Sequence, residues 1–303
     1  YILSGDKIMY LQPIYSEYYP LDLSLLNNQL TIMARNLYDC TASELATQSV
    51  ETLSKDTSNS EAANWFEETG YDAAPVYISE DPIGFVHKDD VSTKEENIAI
   101  EESLTPLTIE YIISGDTTFL GMVSALIEKP VYFLGGHRQV DGILTRADLN
   151  TTPARIYLFD RITYLEETLR ELILDRIPDW KATLNEEDII KGVQKRYAEA
   201  QRANVALEEI HYTQFSTLCT IVSSVEECWV ACGFSRERKA KDRLNDIREL
   251  RNDVAHANLI VENTDSSGFL NAGRTTENFY EVLESINDVL NSLQAEGYEP
   301  ENS

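Results

Sequence analysis

The chain has 303 residues, of which 43% are hydrophobic and 25% charged, and 25 Lys and Arg against 52 Asp and Glu leave a formal net charge of −27. That length predicts two domains or one large core, and the composition excludes wholesale disorder, a collagen-like repeat and a coiled-coil rod. The charge excludes a surface that coats nucleic acid or anionic membrane throughout, so contact with phosphates requires a local basic patch.

No run approaches the roughly 18 uncharged apolar residues that span a bilayer. The opening Tyr1 to Tyr10 lacks the basic start and apolar block of a secretion signal. Cys40, Cys219, Cys228 and Cys232 are too few and too unevenly placed for a disulfide framework. Without histidine partners at ligand spacing they are expected to be small buried hydrophobes, with no metal site. These features predict a cytoplasmic protein with no membrane partner.

Residues 1–41 are taken as an N-terminal extension. From 42 to about 152, short β-rich runs bounded by Gly, Pro and Asp alternate with modest helices. An internal repeat lies here. Ala74-Pro75-Val76-Tyr77-Ile78 is echoed by Lys129-Pro130-Val131-Tyr132-Phe133, and the segment Gly84 to Asp90 by Gly142 to Asp148. Each copy predicts a helix (60–69; 118–127), a strand opening at Pro-Val, a turn, a strand at the glycine and a helix starting near the aspartate. One such unit exposes too much apolar sheet to stand alone, so the two are expected to pack together as an α+β pair of βαβ-type repeats.

At Gly142-Ile143-Leu144-Thr145-Arg146-Ala147-Asp148 the repeat resembles tandem CBS domains, which are adenosine-nucleotide sensors. The resemblance implies a regulatory adenine nucleotide, with Thr145 on phosphate, Asp148 on the ribose hydroxyls and the backbone at Lys129 and Pro130 against adenine. A threonine hydroxyl with helix-start amides suits a phosphate, and a carboxylate accepts from a pair of hydroxyls. The first copy has His87 where the hydroxyl residue belongs and keeps only Asp90, which puts a second equivalent site in question. Thr-x-x-Asp at a helix start is also an N-cap arrangement that needs no ligand, so a purely structural dimerisation module stands beside the nucleotide site.

From residue 153 to 296 the apolar spacing is helical, with helices predicted over 156–177, 186–209, 213–231, 236–256 and 276–294, packed as an antiparallel bundle. Residues 297–303 are expected to form a flexible tail. In the helix over 236–256, Leu244, Ile247, Leu250 and Val254 form the apolar stripe, and Arg248, Asn252 and His256 line a strip beside it, with Arg251 at the border. Residues 236–251 carry seven Lys and Arg and four acids, whereas 257–303 hold nine acids and one Arg. Arg238, Lys239, Lys241 and Arg248 therefore form the candidate RNA-binding patch.

Arg251-Asn252-Asp253-Val254-Ala255-His256 resembles the R-x4-H signature of HEPN domains, and Leu165 to Ile173 looks like the acidic first helix of that family. The resemblance implies an all-α HEPN-like bundle and a metal-independent endoribonuclease of defence or toxin systems, with its active site formed between two copies. Arg251, Asn252 and His256 would be its catalytic residues. The chemistry suits these side chains: histidine moves protons near neutral pH, arginine holds a charged phosphorane and asparagine orients a phosphate oxygen. The expected partners are RNA, an adenine nucleotide and a second copy of the chain, in a dimer or a larger homo-oligomer; no catalytic cofactor is expected. The alternative is a nucleotide sensor whose helical half binds a partner without catalysis, Arg251 and His256 then serving a helix C-terminus where cations are favoured. A nucleotide-modifying transferase would need a Gly-rich phosphate loop or a metal-binding carboxylate pair, and the sequence offers neither.

Overall fold

The structure is a computed structural model in which residues 39–92, 98–136, 139–262 and 274–298 are described. The extension expected over 1–41 lies almost wholly outside them, as does His137. Helix α1 (Ala42–Leu45) leads into β1 (Thr47–Gln48). The first repeat then runs β2 (Leu53–Ser54), α2 (Asn59–Thr69), β3 (Ala73–Ile78), β4 (Asp81–His87) and α3 (Lys88–Ser92). After β5 (Thr105–Pro106), the second repeat runs β6 (Ile112–Ile113), α4 (Phe119–Glu128), β7 (Val131–Gly135) and β8 (Val140–Thr145), ending in a 3₁₀ turn, Arg146–Asn150. Both long helices start as their sequences dictate: the Ser58 hydroxyl accepts from the Glu61 amide, and that of Thr118 from the Gly121 amide.

Each repeat gives a four-stranded sheet, ordered β2-β3-β4-β5 and β1-β8-β7-β6. The outer strands are exchanged. β1, which precedes the first repeat, pairs with β8 of the second, and β5, which follows the first repeat, turns back onto β4. Glycine permits this: a Cβ on Gly84 would lie 2.4 Å from the Thr105 carbonyl oxygen, and one on Gly142 would lie 3.4 Å from that of Thr47. The glycines, and not the Pro-Val pairs, therefore set the register of the repeat. Gly84 faces Val76 and Gly142 faces Leu134, so Pro75 lies inside a strand opposite Phe85 while Pro130 precedes its strand. The echo of Ala-Pro-Val with Lys-Pro-Val is thus out of structural register.

The helical half comprises α5 (Thr152–Arg176), α6 (Glu187–Arg202), α7 (Phe215–Ser224), α8 (Glu226–Ala231), α9 (Glu237–Ala255) and α10 (Thr276–Ala295). The helix expected over 213–231 is broken at Val225, which is extended. The Ser223 and Ser224 hydroxyls bond back to the Thr220 and Ile221 carbonyls, a competitor of the helix ladder. The helix expected to reach 209 stops at Arg202, and Asn204 takes a left-handed conformation at φ 57°. The tail also begins ordered: the Tyr298 hydroxyl donates to Asp175 at 2.6 Å and accepts from the Arg176 guanidinium at 2.7 Å.

The boundary expected at 152/153 falls inside one continuous core. Phe119 of α4 stacks on Tyr157 of α5 (ring centroids 4.3 Å apart) and meets Phe279 of α10 edge-on at 6.2 Å. Buried residues of the second repeat, including Leu126, Leu144 and Leu149, share that core with Leu165, Leu218, Ile247 and Leu283 of the bundle. The first repeat has its own smaller core around Phe66, Val76 and Val86, and Phe85 and Phe133 pack between the two repeats. The second repeat is therefore built into the bundle, and the first is attached to the second. Among the described residues no helix is long and apolar enough to cross a membrane.

Candidate functional site

Thr145 ends β8 and Asp148 lies in the turn that follows. Asp148 is 6% exposed and its carboxylate is engaged: Oδ2 accepts from the Thr145 amide at 2.6 Å and from the Thr145 hydroxyl at 3.0 Å, and Oδ1 from the Thr47 hydroxyl at 3.3 Å. Burial pushes the carboxyl above the ordinary aspartate range, against the lowering effect of these hydrogen bonds. The pair thus forms the cap that the sequence also allowed. Beside it is a cavity of 140 Å³ bordered by Thr47, Glu51, Tyr71, Asp72, Thr145 and Asp148 among others. Its ionisable lining is acidic, and Lys88 neutralises Asp72 from outside.

Lys129 and Pro130 are not among the residues lining this cavity. The exchange of strands brings the start of β3 to Asp148 instead, whereas the Lys129 ammonium lies 5.3 Å from the centre of the Tyr111 ring. Pro130 adjoins Thr145 through the Val131–Thr145 pair of β7 and β8 but does not border the cavity. In the first copy Asp90 is exposed, unlike Asp148, and His87 accepts from the Asp89 amide at 3.3 Å through Nδ1.

Arg251, Asn252 and His256 occupy the last turn and C-cap of α9. Arg251 is half-buried, Asn252 and His256 are exposed, and no hydrogen bond or ion pair joins the Arg251 side chain to a described residue. The helix stops in a Schellman arrangement in which Asn258 N–H donates to the Asp253 carbonyl and Ala257 N–H to that of Val254. Ala257 takes the left-handed position at φ 56°, where glycine is usual and a Cβ costs about 1–2 kcal/mol. Asp253 fixes the exit, accepting from Arg274 at 3.1 Å and from the Asn258 side chain at 3.2 Å.

α9 separates two unlike surfaces. Toward α10 is an 880 Å³ cavity bordered by Asn252 and by Asp246, Glu249, Asp253, Glu262 and Glu281, with Arg243 and Arg274 held in ion pairs. Toward α7 is a 560 Å³ groove that contains Lys241 and Arg248, Glu186 being its one carboxylate among the described residues. Of the other expected RNA contacts, Arg238 lies out in solvent near Asp242, and Lys239 borders a separate cavity. The four cysteines are free and buried, and burial pushes the Cys219 thiol up to about 12. Among the described residues no group of His, Cys, Asp and Glu is placed to hold a metal.

Asn150 had no signal in sequence, yet its side chain ties the Asp148 turn to the segment after His256. Oδ1 accepts from the Ile260 and Val261 amides at 2.6 and 3.1 Å, and Nδ2 donates to the Val261 carbonyl at 2.8 Å. Arg155 adds a second tie, donating to the Asn150 carbonyl at 3.2 Å and the Asn258 carbonyl at 2.6 Å. Three large apolar side chains stay exposed near this junction: Ile156 (51%), Phe159 (62%) and Leu259 (56%).

No protein-family model matches the sequence, and no curated protein does. Solved structures match part of it. They include a hemolysin-like protein containing a CBS domain from Oenococcus oeni PSU, at 16% identity and TM-score 0.33, over 39% of this chain and 93% of that one. The CBS domains of a transcriptional regulator from Streptococcus pneumoniae match at 15% identity and TM-score 0.33, over 36% and 95%. CBSX2, solved in complex with AMP, matches at 17% identity and TM-score 0.33, over 38% and 97%. The similarity is to CBS-domain structures.

Proposed function

We propose that the protein is a ligand-regulated, metal-independent endoribonuclease in which the CBS-like pair responds to an adenine nucleotide and the HEPN-like bundle cuts RNA as a homodimer. The observation that carries this reading is the bonding of the Asp148 turn, through Asn150, to the segment that follows His256. A ligand that draws the Asp148 carboxylate onto ribose hydroxyls competes with its bonds to Thr145 and so biases the turn that Asn150 anchors. Regulation follows only if the ligand prefers one arrangement of that turn. Ribose suits Asp148, and Tyr71 offers a ring to a base. Among the described residues no cation lines the cavity, so phosphate contact falls to Thr145 and neighbouring amides. The volume is below the roughly 300–1,000 Å³ of small-molecule pockets, so binding requires the cavity to open.

In cleavage, one His256 takes the proton of a ribose 2′-hydroxyl as its oxygen bonds to phosphorus. His256 of a second copy protonates the 5′-oxygen as the P–O bond breaks, leaving a 2′,3′-cyclic phosphate and a 5′-hydroxyl. Arg251 neutralises the phosphorane and Asn252 orients one of its oxygens. The exposed Ile156, Phe159 and Leu259 support docking of the second copy beside this end of α9. The test is cleavage of single-stranded RNA in EDTA. Wild type should cut, and His256→Ala should cut at least about 10²-fold more slowly; equal rates would overturn the assignment.

A second reading, a nucleotide-sensing scaffold without catalysis, is favoured by one observation: carboxylates crowd the α10 side of Asn252. It predicts no cleavage by wild type in the same assay.

A further inference from the structure

We propose that the groove between α7 and α9 binds one nucleotide unit of an RNA strand, away from the residues that cut it. This deepens the ribonuclease reading and rests on it. The groove has a volume of 560 Å³, within the range of small-molecule sites of about 300–1,000 Å³. Arg248 provides the anion contact. Among the described residues no hydrogen bond or ion pair engages its guanidinium, although the protein carries 52 acidic side chains. Lys241, held by Glu237 one turn back, adds charge at the rim.

The α7 wall identifies what accompanies the phosphate. Thr220 donates its hydroxyl proton to the Ser216 carbonyl at 2.9 Å, Ser223 to Thr220 at 3.2 Å and Ser224 to Ile221 at 2.9 Å. With their protons committed, these oxygens offer lone pairs, which repel a bare anion and accept from a donor. A ligand that joins an anion to hydroxyl or amino donors answers both needs, and ribose with its 2′-hydroxyl is such a group. Leu184, Ile189 and Leu244 supply apolar surface for a base.

The placement fits a strand that continues to His256. Eight residues separate Arg248 from His256 along the α9 direction, about 12 Å at 1.5 Å per residue, or roughly three to four stacked nucleotides. The opposite side of α9, which Asn252 borders near the helix end, carries five carboxylates along its length, so a strand reaching back from the helix end is favoured on the α7 side.

The test uses the full chain carrying His256→Ala and a short labelled single-stranded RNA, with DNA of the same sequence for comparison, titrated at several salt concentrations. Arg248→Gln should weaken RNA binding about tenfold and reduce the log–log salt slope by about 0.7. Thr220→Val, at an exposed position, should lower affinity for RNA and leave that for DNA unchanged, and it keeps the test open should Arg248→Gln fail to fold. Unchanged RNA affinity in both variants overturns the groove, whereas the ribonuclease reading survives if His256→Ala still abolishes cutting. If His256→Ala cuts like wild type while Arg248→Gln binds RNA less well, the catalytic assignment falls and the groove stands. No RNA binding by any form at low salt overturns both.

Discussion

Asn150 and Ile260 are joined by a 2.6 Å hydrogen bond from the Ile260 amide to the Asn150 side-chain oxygen, which connects the last turn of the CBS-like pair to the chain leaving the Arg251–His256 helix. Ile260 is fully buried, so its amide has no water to replace that partner. Asn150→Leu should cost about 1–3 kcal/mol and lower Tm by roughly 2–10 °C, measured calorimetrically. It should also uncouple RNA cleavage from added AMP while cleavage itself continues. A variant that keeps the full response to AMP would show that the tie is structural only.

Asp148 has a pKa raised by burial, and the sign of its linkage follows. Its contribution is most favourable below the unfolded-state pKa and is lost as pH rises through the higher folded-state value. Asp148→Asn retains an acceptor for the Thr145 amide and has no charge to bury. Wild type should therefore gain stability relative to Asp148→Asn as pH falls through that window, read from urea midpoints over a pH series. A difference that grows with rising pH in favour of wild type would contradict the burial argument.

Phe159 is 62% exposed on α5, in an apolar group with the exposed Ile156 three residues before it on the same helix face. If that group receives a second copy, Phe159→Glu should convert a dimer to a monomer by light scattering at micromolar concentration. Thermal stability of the monomer fold should change little, because the side chain contributes little to the intramolecular core.

Gly84 and Gly142 occupy matching strand positions with unequal clearance. Gly84→Ala drives a Cβ against the Thr105 backbone and should cost about 1–3 kcal/mol in denaturant unfolding. Gly142→Ala meets its neighbours at 3.4 Å and should cost much less. Equal losses would mean that strand exchange does not explain both glycines.

The two-part texture, the repeat and the helix carrying Arg251, Asn252 and His256 were legible because each depends on local periodicity and on signals such as the Ser58 cap. The Thr145–Asp148 cap was legible for the same reason: its partners are three residues apart. That the start of β3, and not Lys129 or Pro130, borders the cavity at Asp148 was not legible, because strand exchange is nonlocal. A two-residue strand such as β1 has no periodicity to reveal which sheet it joins, and nothing in sequence distance suggests that β3 of the other repeat borders Asp148. The contrast across α9 was only partly visible, since charge along one helix does not show which acids of α10 face it.

Sequence by itself determined the helical character of the second half, the existence of the repeat, the acidic surface and the isolated basic stretch, all properties of neighbours along the chain. Tertiary structure alone decided that Phe119 stacks on Tyr157, so that the α+β and helical halves share one core, and that Asn150 reaches Ile260. The physical reason is that burial and hydrogen-bond satisfaction are settled between segments far apart along the chain, where short-range pattern carries no information about which apolar faces and which orphan amides will meet.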